Sequence, residues 1–225
     1  MSDSKIYNLR FSNSNINIEV GDVINAFMGF ITDIGINTEI SGIYVDSTNN
    51  IKGPYVSCLG GKLNNVTIQN NYCEANVTGS TATMLAHEIR YVVVADNMRD
   101  LIIKNNYFNG SLKNIGDYYK SIHAYFANYL YNDKDEKITD THKIDIEYNY
   151  YFNNADTSDT NYYYPSKSFG PASNFGVKSV EDPVIVTTDN VTYNNNDPLT
   201  ADSRYLKETY IGYDFENIWN YETGK

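Results

Sequence analysis

Residues 68–73 read Ile68-Gln69-Asn70-Asn71-Tyr72-Cys73, and the same phrase returns as Ile103-Lys104-Asn105-Asn106-Tyr107-Phe108 and as Ile146-Glu147-Tyr148-Asn149-Tyr150-Tyr151. Upstream of each lies an apolar residue two positions before the Ile: Val66 in Val66-Thr67, Leu101 in Leu101-Ile102 and Ile144 in Ile144-Asp145. Side chains alternate across a strand with a period of two, and β-branched residues favour that state, so each copy reads as a strand ending at an Asn-rich bend. Asn tolerates the left-handed backbone region that a sharp bend requires. Self-similarity at periods of a few tens of residues is the mark of a repeat architecture, whose units bury their apolar faces only by stacking.

Working outward, Leu9-Arg10-Phe11-Ser12-Asn13 is a further match, Ile40-Ser41-Gly42-Ile43-Tyr44-Val45 a weaker one, and residues 184–193 a degenerate one. Anchored on Phe11, Ile40, Ile68, Ile103 and Ile146, the copies stand 29, 28, 35 and 43 residues apart. Unequal intervals fit a constant unit with insertions at its loops. No 3.6-residue periodicity accompanies them, which excludes helical repeats of similar length. A second motif lies between the copies: Ala26-Phe27-Met28-Gly29-Phe30, Ser57-Cys58-Leu59-Gly60-Gly61, His123-Ala124-Tyr125-Phe126-Ala127, and Asn174-Phe175-Gly176-Val177. Each unit therefore carries at least two strands. The expectation is an all-β, right-handed parallel β-helix, or solenoid, of about five to six irregular coils. Phe11, Ile40, Ile68, Ile103 and Ile146 are expected to form one inward row, with Asn13, Asn70 and Asn105 forming an amide ladder at one bend.

The 225-residue chain reads as a single module, 1–225, with insertions at 114–141 and 155–182. A formal net charge of −11 and the absence of a Lys/Arg-rich stretch argue against nucleic acid as a partner. No apolar run is long enough for membrane insertion. The N-terminal residues lack the basic and apolar regions of a secretion signal, so the expectation is either that none is needed or that the chain is a piece of a larger protein. The 22 tyrosines and 41% hydrophobic content argue against disorder. Cys58 and Cys73 read as two buried thiols in neighbouring strands, with a disulfide left open by their spacing.

The segment 56–79 resembles the GLUG-motif repeat family, in which a Gly-apolar-apolar-Gly strand precedes an Ile-x-Asn-x-Tyr strand. The matching residues are Leu59-Gly60-Gly61, Ile68-Gln69-Asn70-Asn71-Tyr72 and Val77-Thr78-Gly79. Asn190-Val191-Thr192-Tyr193, then Leu206-Lys207 and the run from Tyr210 to Trp219, resembles that family's closing segment, expected here over 205–221. The two insertions depart from the pattern. The resemblance implies a parallel β-helix in an adhesin-like protein at the cell surface, in an extracellular setting. It brings no catalytic residues.

Chemical motifs are few. His87-Glu88-Ile89-Arg90-Tyr91 lacks the second histidine of a zincin helix and reads as strand. His87, His123 and His142 lack ligand spacing, and the acidic runs at 133–136 and 156–159 lack the pattern of a calcium loop, so no metal and no cofactor is expected. The sequons at Asn65, Asn76, Asn109 and Asn190 are read as chance in an Asn-rich chain. Glycan-cleaving β-helices need a face of aligned carboxylates. Here Glu147 aligns with Lys104 and Gln69, and Glu74 with Asn109, so the chain is expected not to be an enzyme and no catalytic residue is assigned.

Tyr44, Tyr72, Tyr107 and Tyr150 align. The simpler reading is packing between coils; the functional one is an aromatic strip for sugars. The Asn bend is expected to change the parity, turning Tyr72 and Tyr107 outward and Cys73 and Phe108 inward. Loops on a rigid scaffold commonly carry recognition. The expected ligand-binding residues are therefore Tyr118 and Tyr119, Tyr162, Tyr163 and Tyr164, with Tyr72 and Tyr107. The partners expected are cell-surface glycans or proteins. The role is adhesion or rigid structural spacing, with a virion or phage-tail component as the alternative and a polysaccharide-cleaving enzyme as the second.

Overall fold

The computed structural model describes residues 1–19, 27–91, 100–114, 126–132, 143–152, 154–155, 172–173, 191–194 and 198–221. These residues are all-β, with every strand pair parallel. The strands belong to four sheets. The first holds Lys5–Tyr7, Glu39–Ser41, Thr67–Gln69, Leu101–Lys104, Ile144–Glu147 and Val191–Asn194. The second holds Arg10–Phe11, Tyr44–Val45, Tyr72–Cys73, Tyr107–Phe108, Tyr150–Phe152 and Pro198–Leu199. The third runs Asn15–Asn17, Asn50–Ser57, Asn76–Thr83, Ser111–Asn114 and Asn154–Ala155, with Phe27–Met28 also paired to Asn50–Ser57. The fourth holds Thr32–Ile36, Gly60–Asn64, Ala86–Tyr91, Ala127–Asn132 and Ala172–Ser173. The chain visits the sheets in this order and then begins again; the first pass gives the third sheet two strands, and the last described strands, Val191–Asn194 and Pro198–Leu199, join the first two sheets.

Inward positions from the four sheets meet in one apolar cluster. Ile40, Ile68, Ile103 and Ile146 come from the first sheet, Val45, Cys73, Phe108 and Tyr151 from the second, Ile51, Val77 and Leu112 from the third, and Leu63 and Ile89 from the fourth. All are fully or almost fully buried. Burying a Val, Leu, Ile or Phe side chain contributes roughly 1.5–3 kcal/mol. No single pass can enclose its own face, so that gain depends on its neighbours.

Register corrects the first anchor. Ile6, rather than Phe11, pairs with Ile40, while Phe11 pairs with Val45 in the second sheet. Both residues are apolar and followed by an Asn two positions on, which is why the sequence pattern cannot separate them. The degenerate copy is real in its last part, where Tyr193 takes the register of Ile146.

The bend between the first and second sheets has a fixed design. Asn8, Asn70, Asn105 and Tyr148 adopt φ of 54°, 58°, 54° and 58°, and Gly42 takes the same place at 68°. Asn13 is also left-handed, at 56°, but lies one bend further on. The amide ladder is built by the next residue in the chain, not by Asn70 and Asn105 themselves. Asn71 Nδ2 donates to Asn106 Oδ1 at 2.9 Å, and Asn106 Nδ2 donates to Asn149 Oδ1 at 2.8 Å. The three amides also donate to the carbonyls of Ile40, Ile68 and Ile103 at 3.1, 3.0 and 2.8 Å. Their oxygens accept from the backbone N–H groups of Ile43, Asn71 and Asn106. A left-handed residue takes the backbone out of the strand ladder and strands these groups in the interior. Unpaired they would each cost about 1–3 kcal/mol, and the buried Asn71, Asn106 and Asn149 satisfy them in three successive passes.

Cys58 and Cys73 are joined in a disulfide rather than left as free thiols, with Cα atoms 6.7 Å apart. Both are fully buried. Spacing left this open: Cys58 lies in the bend between Asn50–Ser57 and Gly60–Asn64, Cys73 lies in the second sheet, and both are buried in the interior. His87 and Glu88 lie in the strand Ala86–Tyr91, as the apolar run beside them suggested. The second motif shifts in register: Met28 pairs with Val56, and Phe30 donates to the carbonyl of Cys58. Another copy, Thr83-Met84-Leu85-Ala86, fills the place between Cys58-Leu59-Gly60 and Phe126-Ala127.

Candidate functional site: a tyrosine-lined groove

Each repeat of Asn-Tyr delivers an outward tyrosine immediately after its bend. Tyr72 pairs in register with Tyr44 on one side and Tyr107 on the other, and Tyr107 pairs with Tyr150. Cys73 and Phe108 point inward, so the expected change of parity is present. Tyr44 and Tyr72 stack at 4.9 Å with planes 6° apart, and Tyr72 meets Tyr107 at 5.4 Å. Arg10 lies over the other face of Tyr44, 5.0 Å from its centroid. The rings therefore spend their faces on one another and on Arg10, and they present edges and hydroxyls to solvent.

Residues 200–221 lie across one end of this row as a succession of turns, including the 3-10 turns Ser203–Tyr205 and Lys207–Thr209. Tyr210 packs edge-on against Tyr107 and Tyr150, at 5.8 and 5.7 Å. Tyr213 contacts Tyr150 at 5.7 Å and Trp219 at 4.7 Å. Gly212, at φ 82°, sits so close to the Tyr148 ring that an added Cβ would approach it to 2.7 Å. Exposure falls along the row in consequence, from 38% at Tyr44 to 4% at Tyr150.

Between the uncovered rings and this segment runs a groove of 820 Å³. Tyr44, Tyr72 and Tyr107 form one wall, Tyr210, Tyr213 and Trp219 the other, and Glu74, Asn109 and Arg204 line it as well. Glu74 is committed, bonded to the Tyr72 hydroxyl and accepting from Asn109 Nδ2 at 3.2 Å. Burial, then the bonded and nearby Glu74, pushes the Tyr72 phenol well above its ordinary range. Burial and the neighbouring Tyr210 do the same for Tyr107. Both are neutral donors at any physiological pH. Tyr213 Oη, Trp219 Nε1 and Asn70 Oδ1 line the groove region with no hydrogen-bond partner. Among the described residues, no three His, Cys, Asp or Glu side chains are grouped to hold a metal ion. No helix among them is long and apolar enough to cross a membrane.

Of the residues singled out in the sequence, Tyr72 and Tyr107 come together in this groove, joined by the aligned Tyr44. Tyr118, Tyr119, Tyr162, Tyr163 and Tyr164 lie outside the described residues. Tyr210, Tyr213, Trp219 and Arg204 were missed as site residues. Their only signal was the aromatic density of residues 205–221, and nothing local says on which face that segment folds. No protein-family model, curated protein or solved structure matches the chain.

Proposed function

We propose that this chain is a single non-enzymatic module, a right-handed parallel β-solenoid, that binds glycans at the tyrosine-lined groove as part of an extracellular surface protein. The observation that carries this reading is the groove itself: 820 Å³ on a parallel scaffold, lined by nine aromatic residues and edged by amides and hydroxyls. Sugars are recognised by planar hydrogen-bonding groups together with apolar surface, and the groove offers amides beside the edges of its rings.

The solenoid part of the proposal rests on the order in which the chain visits the four sheets and on their shared apolar core. The resemblance of 56–79 and of the closing segment to GLUG repeats agrees with it. The extracellular part rests on the Cys58–Cys73 disulfide, since such bonds persist mainly in oxidising compartments. The non-enzymatic part rests on the commitment of Glu74, the carboxylate of the groove, to structural hydrogen bonds.

The test is retention of the purified chain on an array of host and microbial polysaccharides, with product release recorded in the same samples. Retention without cleavage, lost in Tyr44→Ala and Tyr72→Ala, is the expected result. Release of shortened sugars overturns the non-enzymatic reading. Absence of retention on every glycan overturns the binding reading and leaves the role of a rigid spacer.

A further inference from the structure

Arg204 differs from most of the cations on the strands, which are held in ion pairs. Lys62 and Arg90 bind Glu88, Lys104 binds Asp145 and Glu147, Arg10 binds Asp46 and Lys5 binds Glu39. Arg204 has no carboxylate within ion-pair distance among the described residues, although the chain carries a net charge of −11. Its guanidinium is instead held between two rings, 4.0 Å from the Phe152 centroid and 4.5 Å from that of Tyr205. One terminal nitrogen donates to the Tyr205 hydroxyl, and Nε is buried without an acceptor. The Tyr210 hydroxyl donates to the Arg204 carbonyl at 2.6 Å, which anchors the backbone beneath it.

An arginine fixed in plane by aromatic faces and left with spare N–H groups is a preorganised fork for a carboxylate. Its side-chain entropy is already spent in the unliganded protein, so less is lost on binding. It lines the same groove as Trp219 Nε1 and Tyr213 Oη, two further polar groups without partners. The surrounding field of an acidic protein repels anions in general. Capture of an anion at this point must therefore come from local geometry rather than from bulk charge.

Resting on the glycan-binding reading, we infer that the groove is selective for acidic sugars, and that Arg204 takes the ring carboxylate of a uronic or sialic acid. The neutral hydroxyls of the same sugar meet Tyr44 and Asn109 on the groove wall.

The experiment compares sialyllactose, oligogalacturonate and hyaluronan oligosaccharides with the same sugars after reduction of each carboxyl to an alcohol. Binding is measured by calorimetry to the wild-type chain, to Arg204→Gln and to Arg204→Lys. The expected result is that at least one acidic sugar binds tenfold or more tighter than its reduced form. R204Q should erase that difference, and R204K, which keeps the charge but not the fork, should retain only part of it. Equal binding of an acid and its reduced form, or an unchanged preference in R204Q, overturns the inference while leaving a glycan groove in place. Binding of no sugar, acidic or reduced, overturns both. The reduction series needs no variant, so it decides the matter even where R204Q fails to fold.

Discussion

Asn71, Asn106 and Asn149 immediately precede Tyr72, Tyr107 and Tyr150, so one dipeptide repeated three times builds two ladders of opposite character. The amide ladder is wholly buried, and each member joins its neighbour and the backbone of the adjacent pass. The tyrosine ladder faces outward and passes from open at Tyr44 to covered at Tyr150. Period-two alternation alone puts adjacent residues on opposite faces, and the left-handed bend before them decides which faces in. The inner ladder is repeated unchanged because the backbone groups it satisfies recur unchanged. The outer one varies because only its last members meet residues 200–221.

The largest effect should come from breaking the inner ladder. Asn106→Ala removes an amide that bonds Asn71, Asn149, the Ile68 carbonyl and the Asn71 N–H. With several buried groups orphaned at about 1–3 kcal/mol each, the loss should reach about 3 kcal/mol or more. Urea unfolding measures it, and a change below about 1 kcal/mol would show the ladder to be dispensable.

Next in size is the Cys58–Cys73 bond, which ties the bend between Asn50–Ser57 and Gly60–Asn64 to the second sheet across a sequence separation of 15. A loop of that length implies about 3 kcal/mol. Thermal unfolding of the double Cys→Ala variant, or of the protein in strong reductant, should show a clear drop, and a thiol titration of the native protein should find none free.

The outer ladder gives smaller and more selective effects. Burial raises the phenols of Tyr72, Tyr107, Tyr210 and Tyr213 above their ordinary value of 10.0. Above that value the unfolded chain releases protons that the folded one retains. Stability is therefore intact at neutral pH and falls progressively as the pH rises past about 10. Unfolding temperature followed together with tyrosinate absorbance should show ionisation arriving with loss of structure rather than before it.

The smallest change in stability is expected at the open end. Tyr44→Ala removes a half-exposed ring that touches Arg10 and Tyr72 and should cost about 1 kcal/mol or less. Retention on a bound glycan should nevertheless fall. A large loss of stability with retained binding would reverse the comparison between the two ladders.

Much of the strand architecture was legible in the Ile-x-Asn-Asn-Tyr copies, because a repeated strand and bend imposes a repeated residue pattern. The outward turn of Tyr72 and Tyr107 was legible for the same reason. The errors also have physical causes. Phe11 reads as the partner of Ile40 in place of Ile6 because two consecutive strands of one pass each carry an apolar residue with an Asn two positions on. The ladder was assigned to Asn70 and Asn105 because a left-handed conformation and a buried amide are both Asn preferences. Here they fall to successive residues.

By itself the sequence determined the strand-and-bend unit, its repetition and the outward line of tyrosines, since these follow from local backbone preference and side-chain alternation. The tertiary structure alone decided the pairing of Cys58 with Cys73, the covering of Tyr107 and Tyr150 by residues 200–221, and the place of Arg204 in the groove. These join residues far apart in the chain, and no local preference records which distant surface a run of turns comes to rest upon.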